Sequence, residues 1–72
     1  MPKHVADIVV DVVYRRSCAD LGEIVDAVAR ELGRPRGRVE RVVSAALTKL
    51  VKRGVVVRKR KGYYCAPTVV LI

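Results

Sequence analysis

The residues best suited to chemistry in this 72-residue chain form an uninterrupted cationic run near its end. The run consists of Arg58, Lys59, Arg60 and Lys61, and Gly62 follows it directly. Its flanks, 55–57 and 63–66, contain β-branched, aromatic or small residues, which favour strands. Because glycine supplies the positive φ of a tight turn, we predict a hairpin whose tip carries four positive charges. A bound polyanion would relieve their repulsion and release counterions, whereas the simpler alternative is a charged loop that keeps an exposed edge soluble.

The charge of the chain is divided unequally between its two halves. Residues 1–33 hold six acidic and four basic side chains, whereas residues 34–72 hold eleven basic side chains and one acid, Glu40. The net charge is therefore −2 in the first part and +10 in the second, for a total of +8. Solubility alone does not require this separation, so a nucleic acid or another acidic surface is the expected partner of the second half.

Apolar residues recur with helical spacing in three segments. Val5, Ile8, Val9, Val12 and Val13 form one stripe, which predicts a first helix at about 3–16. A second stripe, Leu21, Ile24, Val25, Val28 and Leu32, follows a capping-box pattern that begins at Asp20, and Gly33 is suited to end that helix. A third stripe, Val39, Val42, Val43, Ala46, Leu47 and Leu50, predicts a helix at about 36–53.

A turn, Arg34-Pro35-Arg36-Gly37, separates the second and third helices, and Gly54 ends the third. Pro67 should stop the last strand of the hairpin. We therefore divide the chain into a domain at 1–67 and an apolar tail, Thr68-Val69-Val70-Leu71-Ile72. The predicted fold class is α+β, with three helices and a small antiparallel sheet.

The order of these elements resembles the winged helix-turn-helix of bacterial and archaeal transcription regulators. The resemblance is carried by Leu21-Gly22-Glu23-Ile24-Val25, Leu32-Gly33-Arg34-Pro35, Val39 with Val43, Leu47 and Leu50, and Gly54-Val55-Val56 through Gly62-Tyr63-Tyr64. It covers about 17–66 and is a pattern of apolar spacing and glycines. It implies that the third helix enters the major groove of double-stranded DNA, while the hairpin lies along the backbone or in the minor groove.

Carried onto this chain, the resemblance assigns the groove to the face of helix 3 opposite its apolar stripe. That face comprises Gly37, Arg41, Ser44, Ala45, Thr48 and Lys52, with Arg38 on its flank. Arg38 and Arg41 are suited to guanine edges, Ser44 and Thr48 to a base edge or a phosphate, and Ala45 to close approach. Arg34 and Arg36, at the start of the helix, are better placed for phosphate. The alternative is that these cations form a solvated face.

Two tyrosines and two cysteines complete the set of candidate residues. Tyr63 and Tyr64 alternate in a strand, so one should pack on the helices and the other should face the nucleic acid, but the sequence leaves open which does so. In a winged-helix sheet, the strand before helix 2 pairs with the returning strand of the hairpin. The resemblance thus brings Cys18 near Cys65, which makes them a disulfide candidate, and two separate buried thiols are the alternative.

No constellation for catalysis is visible in the sequence. The single histidine, His4, lies beside the N-terminus, and its spacing from the two cysteines matches no zinc site. The segment 33–37 lacks the lysine and hydroxyl of a phosphate-binding P-loop. We expect no enzymatic activity, no metal and no cofactor, and no small-molecule ligand, because a chain of this size has no second domain to enclose one.

Composition gives the expected setting of the protein. The apolar fraction, 51%, is too high for disorder, and no apolar run approaches the roughly 20 residues of a membrane span, so we expect a cytoplasmic protein without membrane contact. Asn and Gln are absent, which together with the many charges suggests a thermophilic source, although GC-rich codons would produce the same bias. Cytosolic disulfides persist in hyperthermophiles.

Three functions remain open at this stage. The first is a DNA-binding transcription regulator, for which the apolar tail and the first helix are candidate homodimer surfaces. The second is a general nucleic-acid binder, such as a chromatin protein or a ribosomal RNA-binding winged helix, in which Arg38 and Arg41 carry no base information. The third is a winged helix used only to bind another protein, which the separation of charge disfavours.

Overall fold

The protein is an α+β domain of three helices and a small antiparallel sheet, as predicted. The computed structural model describes residues 4–67. Its elements in chain order are α1 (Val5–Arg16), β1 (Cys18–Asp20), α2 (Leu21–Leu32), α3 (Arg36–Lys52), β2 (Val57–Arg60) and β3 (Tyr63–Cys65). The predicted tail at 68–72 lies outside the described residues.

The ends of α2 follow the local signals in the sequence. Asp20 precedes the helix in an extended conformation, and its Oδ1 accepts a hydrogen bond from the Glu23 amide at 2.8 Å. Gly33 ends the helix in the left-handed region, and its amide donates to the carbonyl of Ala29. Arg34 and Pro35 complete the connection, and α3 starts at Arg36. The short connection holds α3 beside α2.

The sheet has the order β1-β3-β2, with both pairs antiparallel. Strand β3 therefore lies in the middle, where Ala19 faces Tyr64 and Asp20 faces Tyr63. The hairpin strand β2 forms one edge. A hydrogen bond of 2.8 Å from the Leu21 amide to the Gly62 carbonyl joins the start of α2 to the hairpin turn. The hairpin is thus attached to the helices at its turn as well as through β1.

The hairpin differs from the prediction in where it carries its charges. Arg58, Lys59 and Arg60 lie within strand β2, and only Lys61 belongs to the two-residue turn that it forms with Gly62. Gly62 has the expected positive φ, +74°. The register shifts between Arg58 and Arg60, which marks a bulge. Because Lys61 and Gly62 alone form the turn, the other three cations remain in β2. The cations therefore form a basic edge strand rather than a charged tip.

The core consists of one cluster from the three helices, β1 and the segment before β2. Its members are Ile8, Val9, Val13, Ala19, Ile24, Val25, Val28, Ala29, Val39, Val43, Leu47, Leu50 and Val56. Val56 is buried ahead of β2 instead of lying in a strand. Val42, which the periodicity assigns to the buried stripe, is 50% exposed. It lies on the flank of α3, where α1 and α2 do not cover it fully.

No helix within residues 4–67 combines the length and apolarity that a membrane crossing requires.

Candidate nucleic-acid interface

The outward face of α3 contains every residue that the sequence assigned to it. Val39, Val43, Leu47 and Leu50 anchor the opposite side of the helix in the core. The exposed side chains are Arg38, Arg41, Ser44, Ala45, Thr48 and Lys52, with Gly37 exposed beside them. Because four buried residues fix the rotation of the helix about its axis, these side chains project together on one side of the molecule.

The basic edge strand adjoins this face across a cleft. The cleft has a volume of about 210 Å³ and is lined by Leu47, Thr48, Val51, Lys52, Arg58 and Tyr64. Lys52 from α3 and Arg58 from β2 are its two cations. The two basic regions of the sequence are therefore continuous in space, and an anion in the cleft would meet positive charge from both elements.

The structure assigns different positions to the two tyrosines. Tyr64 packs against the core from the side of the sheet that faces the helices. Tyr63, its neighbour in the strand, lies opposite Arg60 in the register. The Arg60 guanidinium carbon lies 4.8 Å from the centre of the Tyr63 ring, which is a cation–π contact. Tyr63 therefore orients Arg60 at the end of the hairpin.

Not every predicted cation is free to meet an anion. Arg36 Nη1 lies 3.0 Å from Asp26 Oδ1, so this arginine joins α3 to α2. Arg34 precedes α3 and is exposed. Both partners of the Arg36–Asp26 pair are more than half exposed, so the pair is a weak tie that a phosphate could compete for.

The hydroxyl of Thr48 already has a hydrogen-bond partner. Its Oγ1 donates to the carbonyl of Ser44 at 3.0 Å. The hydroxyl proton of Thr48 is therefore used in a hydrogen bond within α3, while the lone pairs of its oxygen remain exposed to solvent. Thr48 is suited to accept a hydrogen bond from a base amino group rather than to donate one to a phosphate.

The acidic half of the chain neutralises part of its own charge away from this face. Asp11 pairs with Arg15 at 3.3 Å within α1, and the Glu23 carboxylate of α2 pairs with Arg16. Glu40 is the one acidic residue in the sequence from Gly33 to the end of β3. Positive charge therefore remains concentrated on α3 and the hairpin.

A disulfide between Cys18 and Cys65 fastens the base of the hairpin. The two residues face each other on β1 and β3, and their sulfur atoms are bonded at 2.14 Å. The bond joins the strand that leads into α2 to the strand that returns from the hairpin. A second tie comes from Tyr14, whose hydroxyl donates to the Val55 carbonyl at 2.8 Å. Sequence reasoning missed this hydrogen bond, since the two residues are 41 positions apart and nothing local marks them.

No set of three or more His, Cys, Asp or Glu side chains suited to a metal ion occurs in the described part of the chain. Compared with known proteins, the chain matches no protein-family model, no curated protein and no solved structure.

Proposed function

We propose that this protein is a winged-helix DNA-binding protein that acts as a transcription regulator. The observation that carries the proposal is the continuity of two exposed basic elements, α3 and β2, across one cleft lined by Lys52 and Arg58. The major groove of B-DNA admits one α-helix, and its flanking phosphates lie where an adjoining basic strand would meet them. Three helices followed by a hairpin, in this chain order, are the layout of a winged helix.

In this proposal the exposed face of α3 reads bases. Arg41 is central on that face and Arg38 is on its flank, and each can grip the O6 and N7 atoms of guanine with two hydrogen bonds. Ser44 and Thr48 contact a base edge, and Thr48 also lines the cleft beside the hairpin. Ala45 has only a methyl group, which permits close approach to a thymine methyl.

The hairpin and the start of α3 position the protein on the duplex. Arg58, Lys59 and Lys61 contact phosphates, and Arg60, held by the Tyr63 ring, reaches the backbone or the adjacent minor groove. Arg34 contacts phosphate at the N-terminus of α3, where the free amides and the helix dipole also favour an anion. We place this activity in the cytoplasm and assign the protein no catalytic role.

A second candidate is a general nucleic-acid binder that does not read sequence. One observation favours it: the Thr48 hydroxyl proton is used in the hydrogen bond to the Ser44 carbonyl. This leaves one fewer hydrogen-bond donor on the α3 face to discriminate between bases. Binding would then depend almost wholly on phosphate contacts and would fall steeply with salt.

Selection of bound duplexes from a random library separates these functions. Enrichment of one motif supports the regulator, and a palindromic motif would add that two copies bind together. Retention of duplexes without enrichment supports the general binder. Failure to retain any duplex at low salt contradicts both and leaves a protein-binding role.

A further inference from the structure

A second exposed surface surrounds Val42 on the flank of α3 and shares Arg34, Arg38 and Ala45 with the proposed interface with DNA. We call it the Val42 surface and define it by two hollows, both of which are lined by Val42. The first, of about 100 Å³, is lined by Val5, Leu32, Arg34, Arg38, Val39 and Val42. The second, of about 250 Å³, is lined by Ala6, Val42, Ala45, Ala46, Lys49, Leu50 and Arg53. Both hollows lie between the first turn of α1 and α3.

The Val42 surface has an apolar floor and a positive rim. Valine, leucine and alanine side chains form the floor, and Val42 itself is 50% exposed. The cations of the rim are Arg34, Arg38, Lys49 and Arg53. None of the described residues that line the two hollows is acidic. The ion pairs within residues 4–67 use Arg15, Arg16 and Arg36, and none uses a cation of this rim.

We propose that the Val42 surface binds an acidic amphipathic segment of another protein, with two aliphatic side chains in the hollows and carboxylates against the rim. The apolar floor and the cationic rim together favour an acidic amphipathic partner. Its aliphatic side chains would cover the apolar floor, and its carboxylates would pair with the cations of the rim. Along α3 the hollows are centred roughly seven residues apart, or about 10 Å at 1.5 Å per residue. Two leucines at i and i+7 of a bound helix match that spacing.

The charge of the surface argues against a second copy of this chain as the occupant. A two-fold interface places the same patch on both subunits, so the rim cations of one copy would face those of the other. A nucleic acid would satisfy the rim but would leave the apolar floor unfilled. The proposal goes beyond the proposed function and does not depend on it.

The experiment uses the full chain and a capped helical peptide of roughly 15 residues with leucines at i and i+7 and flanking glutamates. Two control peptides replace the glutamates by lysine or the leucines by alanine. Affinity is measured by fluorescence anisotropy, and the site is mapped by NMR on the ¹⁵N,¹³C-labelled protein. We expect the acidic leucine peptide to bind, to shift Val42 and Ala46, and to bind at least tenfold more tightly than either control.

Val42→Lys is the decisive variant because it adds positive charge while it removes the apolar wall. Binding through the hollows should weaken at least tenfold, whereas simple attraction between charges would be unchanged or stronger. Since Val42 is half exposed, the fold should tolerate the change, and a thermal unfolding curve checks this. If the fold does not tolerate it, Lys49→Glu tests the rim, and Arg15→Glu on α1 is the matched charge reversal outside it. The proposal expects weaker binding with the first and unchanged binding with the second.

Other results would overturn the proposal. Equal affinity for all three peptides, no binding, or shifts confined to Arg41, Lys52 and Arg58 would show that the surface is not a peptide site. A dimer in sedimentation equilibrium that Val42→Lys dissociates would assign the surface to a second copy. Nuclear Overhauser effects between Val42 and methyl groups of residues 68–72 would assign it to the tail of the same chain.

Discussion

Cys18 and Cys65 occupy a non-hydrogen-bonded position of the β1–β3 pair. The backbone hydrogen bonds from Leu21 to Gly62 and from Ala66 to Ser17 belong to the alternate positions on either side. At a non-hydrogen-bonded position the Cα atoms come closest, and these two are 3.9 Å apart. Strand register, rather than proximity in sequence, therefore brings the two sulfur atoms together.

Loss of this disulfide should destabilise the domain strongly. The bond spans a sequence separation of 47, which the chain-entropy model values at about 4 kcal/mol. The Cys18→Ala/Cys65→Ala protein should lose about that much free energy of unfolding in urea, and a reducing agent should affect the wild type but not the variant. Alkylation of freshly isolated, unreduced and unfolded protein should find no thiol, and two alkylated thiols per chain would contradict the bond.

Removal of the hairpin cations should reduce the salt dependence of duplex binding. The slope of log affinity against log salt should flatten by about 0.9 for each phosphate that the protein no longer neutralises. We expect Arg58→Ala/Lys59→Ala to flatten the slope by up to twice that amount. Arg15→Ala/Arg30→Ala, on α1 and α2, removes the same charge as a control and should leave the slope nearly unchanged. Equal slopes for both double variants would exclude contact between the hairpin and nucleic acid.

Arg41→Ala and Lys59→Ala should affect DNA binding differently. Arg41 lies on the proposed base-reading face, so its removal should cost about 1–3 kcal/mol on the preferred duplex and relax the sequence preference. Lys59 lies on the edge strand, so its removal should weaken all duplexes alike. Competition between preferred and scrambled duplexes measures both effects. A uniform decrease in affinity with both variants would favour the general nucleic-acid binder.

Gly37→Ala should stabilise the fold and weaken duplex binding. Gly37 lies in the exposed first turn of α3, and a Cβ built there meets no atom within 4 Å. Alanine should therefore stabilise the helix by up to about 1 kcal/mol. If a DNA backbone or base approaches this position closely, the added methyl group should reduce affinity. Urea unfolding and duplex titration test the two effects separately, and unchanged affinity would place Gly37 outside the interface.

Ser17→Gly should stabilise the protein. Ser17 ends α1 with a φ of +69°, and it is the one residue other than glycine with positive φ among residues 4–67. A side chain in this conformation is strained by about 1 kcal/mol or more, which glycine avoids. The gain should exceed that of Ser17→Ala, which retains the Cβ and is the matched control. Equal stability of the two variants would show that Ser17 is unstrained.

Local patterns in the sequence were sufficient for much of the fold. Three local signals predicted the three helices and their connections: the helical spacing of apolar residues, the cap at Asp20 and the glycine that ends α2. Each depends only on residues a few positions apart in the sequence. The outward face of α3 followed from the same periodicity. Positive φ at Gly62 also followed from the residue type, although the turn is tighter than expected and leaves Arg58, Lys59 and Arg60 on the strand.

Only the tertiary structure decided which residues meet across the fold. Arg36 pairs with Asp26, and Tyr64 packs inward, because the placement of α3 against α2 and the register of β3 bring remote residues together. Val42 satisfies the helical spacing of a core residue yet remains half exposed, since the neighbouring helices cover only part of that flank. The spacing of apolar residues along one helix or strand predicts which face of that element is apolar. Which side chains are buried, and which residues pair, depends on how separate elements pack against each other.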